Sequence, residues 1–258
     1  MPTNARFIVP DIASIARSYN VLADEPELRA LAMKAFPKRN LSAVDKPGLH
    51  RMLNNLLLKQ FRGEGTLKAK LVQQFIRQGV TAAFEIAVHR SRADFLTVNG
   101  DSKSFEIKSE RDNLRKLAKQ SRDYQRVFDF NYLVLDEKHY DNALCQVPER
   151  YGVYVLQKQS LVEIRKALPN QAHDPRIQLS LFTKRELAQS FPIVGINIED
   201  ALINFTPEEI NARFKAMLKK RYATRWQFLL DHQSEIHPID FQYFFQHNIH
   251  PSIIYRSC

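Results

Sequence analysis

Cysteine is nearly missing from this chain: its 258 residues include only Cys145 and Cys258. Two isolated thiols cannot build a disulfide framework or a thiolate zinc site, and they suit a reducing cytoplasm. Long apolar runs are missing too, so no segment is expected to span a membrane. The opening residues 1–6 show no basic stretch followed by an apolar core, so no export signal is read there. Internal repeats and low-complexity linkers are absent. Negative charge is in short supply: 28 Asp and Glu face 38 Lys and Arg, a formal net charge of +10, with a pI near 9.6. That balance fits nucleic acid, and equally an anionic membrane surface or an acidic partner. The hydrophobic content, 44%, is enough for one sizeable core with an accessory region.

What is present is a hairpin that carries acids. Between Arg92 and Lys108, two alternating apolar runs flank Asn99-Gly100-Asp101, a turn signal. With those three residues as the loop, Val98 faces Ser102, Phe95 faces Phe105 and Ala93 faces Ile107, which builds one apolar face. Asp94 then falls opposite Glu106 on the other face, with Lys108 beside it. Carboxylates opposed at about 5 Å repel each other, by about 3 kcal/mol at an effective dielectric of about 20. A hard divalent cation removes that cost, because Mg²⁺ and Mn²⁺ prefer carboxylate oxygen. A neighbouring ammonium can orient or deprotonate water, or stabilise a phosphorane-like transition state. A solvated charged hairpin is the plain alternative.

The segment from Glu110 to Phe128 has helical spacing at Leu114, Leu117, Ala118 and Ser121, with Asp112 or Asn113 as its cap. Gln120 and Tyr124 then lie one turn apart on a single face. Arg111, Arg115, Lys116, Lys119, Arg122 and Arg126 are expected on this helix, with Lys103 and Lys108 nearby. Such cations offset the repulsion between an acidic site and a phosphate backbone, and binding through them should fall steeply with salt. Phe130 to Leu135 reads as a buried strand.

These residues together resemble the PD-(D/E)XK nuclease superfamily. Asp94 matches the acid of its second core strand, and Glu106 and Lys108 match the (D/E)XK of the third. Ala93-Asp94 stands where the superfamily's name has Pro-Asp. Gln120 and Tyr124 resemble the Gln-x-x-x-Tyr motif of the RecB-like branch. The runs Glu106 to Ser109, Leu114 to Gln120 and Tyr124 to Asp129 are similar to a small group of bacterial and phage proteins of unknown role, as are Val147 to Tyr154 and Lys184 to Leu187. The resemblance implies an α/β fold, with a restriction-endonuclease-like core of helix, three strands, helix and strand, and added helices at both ends. It implies a metal-dependent nuclease that cuts DNA with metal-activated water and leaves a 5′-phosphate. Asp94 and Glu106 would hold Mg²⁺ or Mn²⁺, with Glu85 as a third oxygen donor. Lys108, Gln120 and Tyr124 would complete the catalytic set. Glu85 has a plain alternative as a helix-end or strand carboxylate facing water. On charge and position, Arg92, Arg111, Arg115, Lys119 and Arg122 are the expected nucleic-acid contacts, with Arg90 and His89 close by. Two other functions stay open: an inactive nucleic-acid-binding or assembly module of the same fold, and an RNA-cleaving defence or toxin nuclease.

The flanks read as helical. A helical region is expected over 1–66, the nuclease core over 67–160 with its first helix at 67–83, and a mostly helical accessory region over 161–258. Within the last, residues 160–168 suggest a helix, and Thr206-Pro-Glu-Glu opens another running from Ile210 to Leu230. Its Tyr222, Trp226 and Phe228 suit core packing better than base stacking. His232, His237, His247 and His250 do not follow a zinc-ligand spacing. The helical ends are candidate surfaces for a homodimer or a partner protein.

Overall fold

The computed structural model describes residues 11–256. The reading of residues 1–6 and Cys258 fall outside the described residues. In chain order the helices are α1 (Ile12–Ser18), α2 (Glu25–Ala35), α3 (Lys46–Gln60) and α4 (Glu64–Phe75). The strands β1 (Thr81–Val88), β2 (Ser91–Asn99) and β3 (Asp101–Lys108) follow, then α5 (Leu117–Gln125), β4 (Phe130–Asp136) and α6 (Tyr140–Leu144). After β5 (Gly152–Gln157) and β6 (Ser160–Arg165) come α7 (Pro175–Ser180), α8 (Lys184–Ser190), α9 (Ile198–Asn204) and α10 (Pro207–Asp231). The chain closes with α11 (Phe241–His247) and α12 (Pro251–Tyr255). The fold is therefore mixed α/β, with a six-stranded sheet and twelve α-helices among the described residues. No helix among them is long and apolar enough to cross a membrane.

The chain divides into two compact units, residues 62–231 and residues 1–61 with 232–258. These limits differ from the sequence boundaries at 66/67 and 160/161, because the tail after 231 groups with the first three helices rather than with 161–231. In that outer unit, helix starts are fixed by side-chain caps. Asp24 forms a reciprocal capping box with Glu27 at the head of α2, and Asp45 accepts from Gly48 N–H at the head of α3. Leu28, Leu31, Leu49, Leu53 and Leu57 form its apolar core. His232, Glu235 and His250 place one donor atom each within 4.8 Å of one another. However, His250 Nδ1 accepts the Ser252 N–H at 3.2 Å as the cap of α12. This leaves the ring proton of a neutral imidazole on Nε2, not a lone pair for a metal.

In the 62–231 unit the strands lie in chain order from β1 to β6. β1, β2 and β3 form an antiparallel meander, β3–β4 and β4–β5 are parallel, and β5–β6 is antiparallel. Helices α5 and α6 lie in the two parallel crossovers. Period-two alternation gives the sheet two faces. On one, Phe95, Phe105 and Tyr132 form a ring cluster with Phe75 of α4, and Trp226 of α10 packs on Phe95. Each such side chain contributes about 2–3 kcal/mol through burial. On the other, Leu133, Leu135, Val153 and Val155 pack with Leu117 of α5 and Ala143 of α6.

Three expected elements are corrected. The helix read over 67–83 ends at Phe75, because Gly79 takes a left-handed turn (φ 65°) and the chain leaves as β1. The helix read from Glu110 begins only at Leu117: Asp112 does not cap it but accepts from Ser109 N–H and Oγ in the preceding turn. Residues 160–165 form a strand instead of a helix, paired with β5 across the turn at Lys158 and Gln159.

Candidate active site

The hairpin register matches the alternation of its sequence. Val98 pairs with Ser102 and Phe95 with Phe105, around Gly100 at φ 76°. Beyond Phe95–Phe105 the β2–β3 ladder stops, while β2 stays paired to β1 as far as Ser91 and β3 to β4 as far as Lys108. The expected pairs Ala93–Ile107 and Asp94–Glu106 are thus not ladder pairs. The strands diverge, and Asp94 turns its carboxylate into the gap, where Oδ2 accepts the Ile107 N–H at 2.6 Å. The gap opens into a cleft of about 700 Å³ lined by Glu64, Asp94, Glu106, Lys108 and Gln120.

Glu106 is 2% exposed. Its Oε1 accepts from Lys108 Nζ at 2.6 Å, and the Tyr124 hydroxyl lies 2.7 Å from its Oε2. Lys108 Nζ also donates to Gln120 Oε1 at 3.1 Å. The spacing of Gln120 and Tyr124 on α5 brings both over the Glu106 face of the sheet, as four-residue spacing requires. Tyr124 is held at its other side by the Arg92 carbonyl, 2.7 Å away. Burial holds the Asp94 carboxyl well above the usual carboxylate range, and the charge of Glu106 pushes the same way. Burial also raises Glu106, opposed by Lys108, Tyr124 and Gln120. Burial and Glu106 push the Tyr124 hydroxyl far up, so it remains a donor.

Glu85 lies on β1 at the position that faces Asp94, between the pairs Phe84–Phe95 and Ile86–Ala93. Its backbone is left-handed (φ 57°), a conformation that costs a non-glycine residue about 1 kcal/mol or more. Arg92 Nε holds its Oε2 at 2.6 Å. Lys68 of α4 hydrogen-bonds its Oε1. Lys68 Nζ lies 2.6 Å from Glu64 Oε1 and 3.9 Å from Asp94 Oδ1. Glu64 and Lys68 were not singled out from the sequence. The signal that could have found them is their i, i+4 spacing on the helix before β1, obscured by placing its start at Leu67.

The structure therefore gathers Asp94, Glu106, Lys108, Gln120, Tyr124, Glu85 and Arg92 around one cleft. His89, Arg90, Lys116 and Lys119 form its rim. Lys119 also pairs with Asp123 at 2.7 Å. Arg111, Arg115 and Arg122 are exposed and do not line the cleft. Arg126 is turned to Asp174. A second basic cleft, between α8 and α10, has its Arg221 clamped by Glu186 and its Arg213 by Ser190 O and the rings of Phe191 and Phe205.

An α/β unit with two acids, Asp94 and the buried Glu106, at one cleft is the class this structure defines. The sequence profile of a family described as bacteriophage P4 protein cII matches residues 59–244, and the chain belongs to that family. No curated protein matches it. A solved structure titled as SPO1766, a protein of unknown function from Silicibacter pomeroyi, is similar at 20% identity and a TM-score of 0.37. The match covers 51% of this chain and 93% of that one.

Proposed function

We propose that this protein is a metal-dependent nuclease of the PD-(D/E)XK kind, with a restriction-endonuclease-like core running from α4 to β4, and that DNA is its substrate. The reading rests on one observation: Asp94 and Glu106 are two largely buried carboxylates, each pushed towards its protonated form, beside the ammonium of Lys108. Such a pair is a liability to the fold unless a cation completes it. A set of hard carboxylate oxygens fits Mg²⁺ or Mn²⁺. An ion held by Asp94 and Glu106, with Glu85 close by, would polarise a phosphate oxygen and acidify water.

The protein's own groups do the rest. Lys108 offers N–H donors at the cleft to charge that develops on phosphate or on attacking water. Gln120 and Tyr124 position Lys108 and Glu106 and do not react. Arg90, Arg92, Lys116 and Lys119 line the approach and attract the backbone of the substrate.

The test is cleavage by purified protein of single-stranded, double-stranded and branched DNA and of RNA, in one Mg²⁺ or Mn²⁺ buffer. DNA is expected to be cut. Asp94→Ala and Lys108→Ala should abolish cutting while circular dichroism stays unchanged. Activity that survives both changes removes the assignment. Nucleic-acid binding with no cleavage under any metal would point to a binding module, and cleavage of RNA alone would replace the substrate.

A further inference from the structure

Glu64, Glu85 and Asp94 each bring one carboxylate oxygen within 4.8 Å of the others. By itself such a triad reads as room for a second metal ion. It already contains a cation, however. Lys68 is 5% exposed, and its Nζ reaches all three acids: 2.6 Å to Glu64, a short hydrogen bond to Glu85, and 3.9 Å to Asp94. The placement has local causes. Glu64 and Lys68 are four apart on α4 and so share a face. Glu85 faces Asp94 across the β1–β2 ladder, and its left-handed backbone breaks the pleat there. Arg92 occupies the other oxygen of Glu85.

We infer that Lys68 fills the place a second metal ion would take, so that this site operates with a single divalent cation. The inference rests on the nuclease reading and sharpens it. Contact supports it: the carboxylates of Glu64, Glu85 and Glu106 are each already met by an ammonium or guanidinium, from Lys68, Arg92 or Lys108. A second divalent ion among Glu64, Glu85 and Asp94 would sit against the Lys68 ammonium, a like-charge contact, unless Lys68 withdrew. A fixed ammonium also suits a buried position, because it needs no dehydration when substrate arrives. The simpler view, that Lys68 only ties α4 to the sheet, makes a different forecast for metal stoichiometry.

The experiment is a Mn²⁺ titration of the full chain, with free Mn²⁺ read by electron paramagnetic resonance and the bound ion by its frozen-solution spectrum. A single Mn²⁺ per chain is expected, lost in Glu106→Ala. Lys68→Met should admit a second ion, seen as doubled stoichiometry and as the spectrum of a coupled Mn²⁺ pair, while Lys68→Arg should remain at one. Two ions in the unaltered protein would overturn the inference and leave the nuclease reading intact. No bound ion would remove the metal reading itself. One ion in both the unaltered protein and Lys68→Met, with equal affinity, would reduce Lys68 to a structural tie. Should Lys68→Met fail to fold, Lys68→Gln and the stoichiometry of the unaltered chain still decide.

Discussion

Acid should loosen the outer unit, and the replacement Asp240→Asn should make that acid loss worse. Asp240 is 3% exposed, and its Oδ2 accepts from Tyr19 at 2.9 Å, Tyr255 at 2.8 Å and Asn54 at 3.2 Å. Burial nonetheless raises its carboxyl from 3.8 to about 6. Two histidines of the same unit move the other way. Burial, then Lys46 and His237, lowers His50 from 6.5 to about 4, and burial, then Arg51, does the same for His237. Between pH 4 and pH 6 the folded unit thus holds one more proton at Asp240 and two fewer at the histidines than the unfolded chain. Stability falls wherever the unfolded state binds more protons on acidification. His50 accounts for a loss of about 3 kcal/mol, and the half-buried His237 for about 2 kcal/mol after allowance for solvent screening. Asp240 offsets about 2–3 kcal/mol of this by taking up its proton as pH falls through 6. The net loss from pH 7 to pH 4 should therefore be about 2–3 kcal/mol, rising to about 5 kcal/mol in Asp240→Asn. Hydrogen exchange of α3 amides across this pH range measures it. Trp226, the chain's one tryptophan, belongs to the other unit and serves as an internal control. An acid loss in Asp240→Asn equal to or smaller than that of the unaltered protein would refute the reasoning.

Three further outcomes follow from the site. Tyr124→Phe removes the hydroxyl that meets Glu106 and the Arg92 carbonyl; it should cost about 1.5–3 kcal/mol in urea denaturation followed by Trp226 fluorescence, and an unchanged midpoint would sink the assigned bond. Glu85→Gly should melt higher than Glu85→Ala, by about 1 kcal/mol, because both lose the carboxylate but only glycine relieves the left-handed backbone. In a Lys108→Ala background, adding Lys119→Ala should reduce the salt slope of DNA binding by about 1, whereas Arg122→Ala should leave it unaltered.

The hairpin was legible because its information is local. A Gly at the turn and phenylalanines at alternate positions define a register, and a one-residue slip would bury the charges. The four-residue step from Gln120 to Tyr124 is equally local. Other features depend on what the chain meets elsewhere. Val80 to Val88 is apolar enough for helix or strand, and only the left-handed turn at Gly79 separates α4 from β1. Leu161-Val-Glu-Ile is too short to distinguish the two periods until β5 lies beside it. The i, i+4 spacing of Glu64 and Lys68 marks a shared face, but where that face points depends on the rotation of α4 over the sheet, set by packing of Phe75 against Phe95 and Phe105. The basic residues after β3 were visible as charge. Which of them face the cleft depends on α5 starting at Leu117.

The order of the two units along the chain has a consequence during synthesis. The sheet-bearing stretch, 62–231, is continuous, so it can complete itself as it leaves the ribosome. The other unit begins earlier and finishes later: Tyr19 and Asn54 precede their shared partner Asp240 by 221 and 186 residues. Through that interval the leucines of α2 and α3 can already pack on one another, and Asn54 can already donate to the Tyr19 hydroxyl, so what the first helices lack is the carboxylate that ties the tail to them.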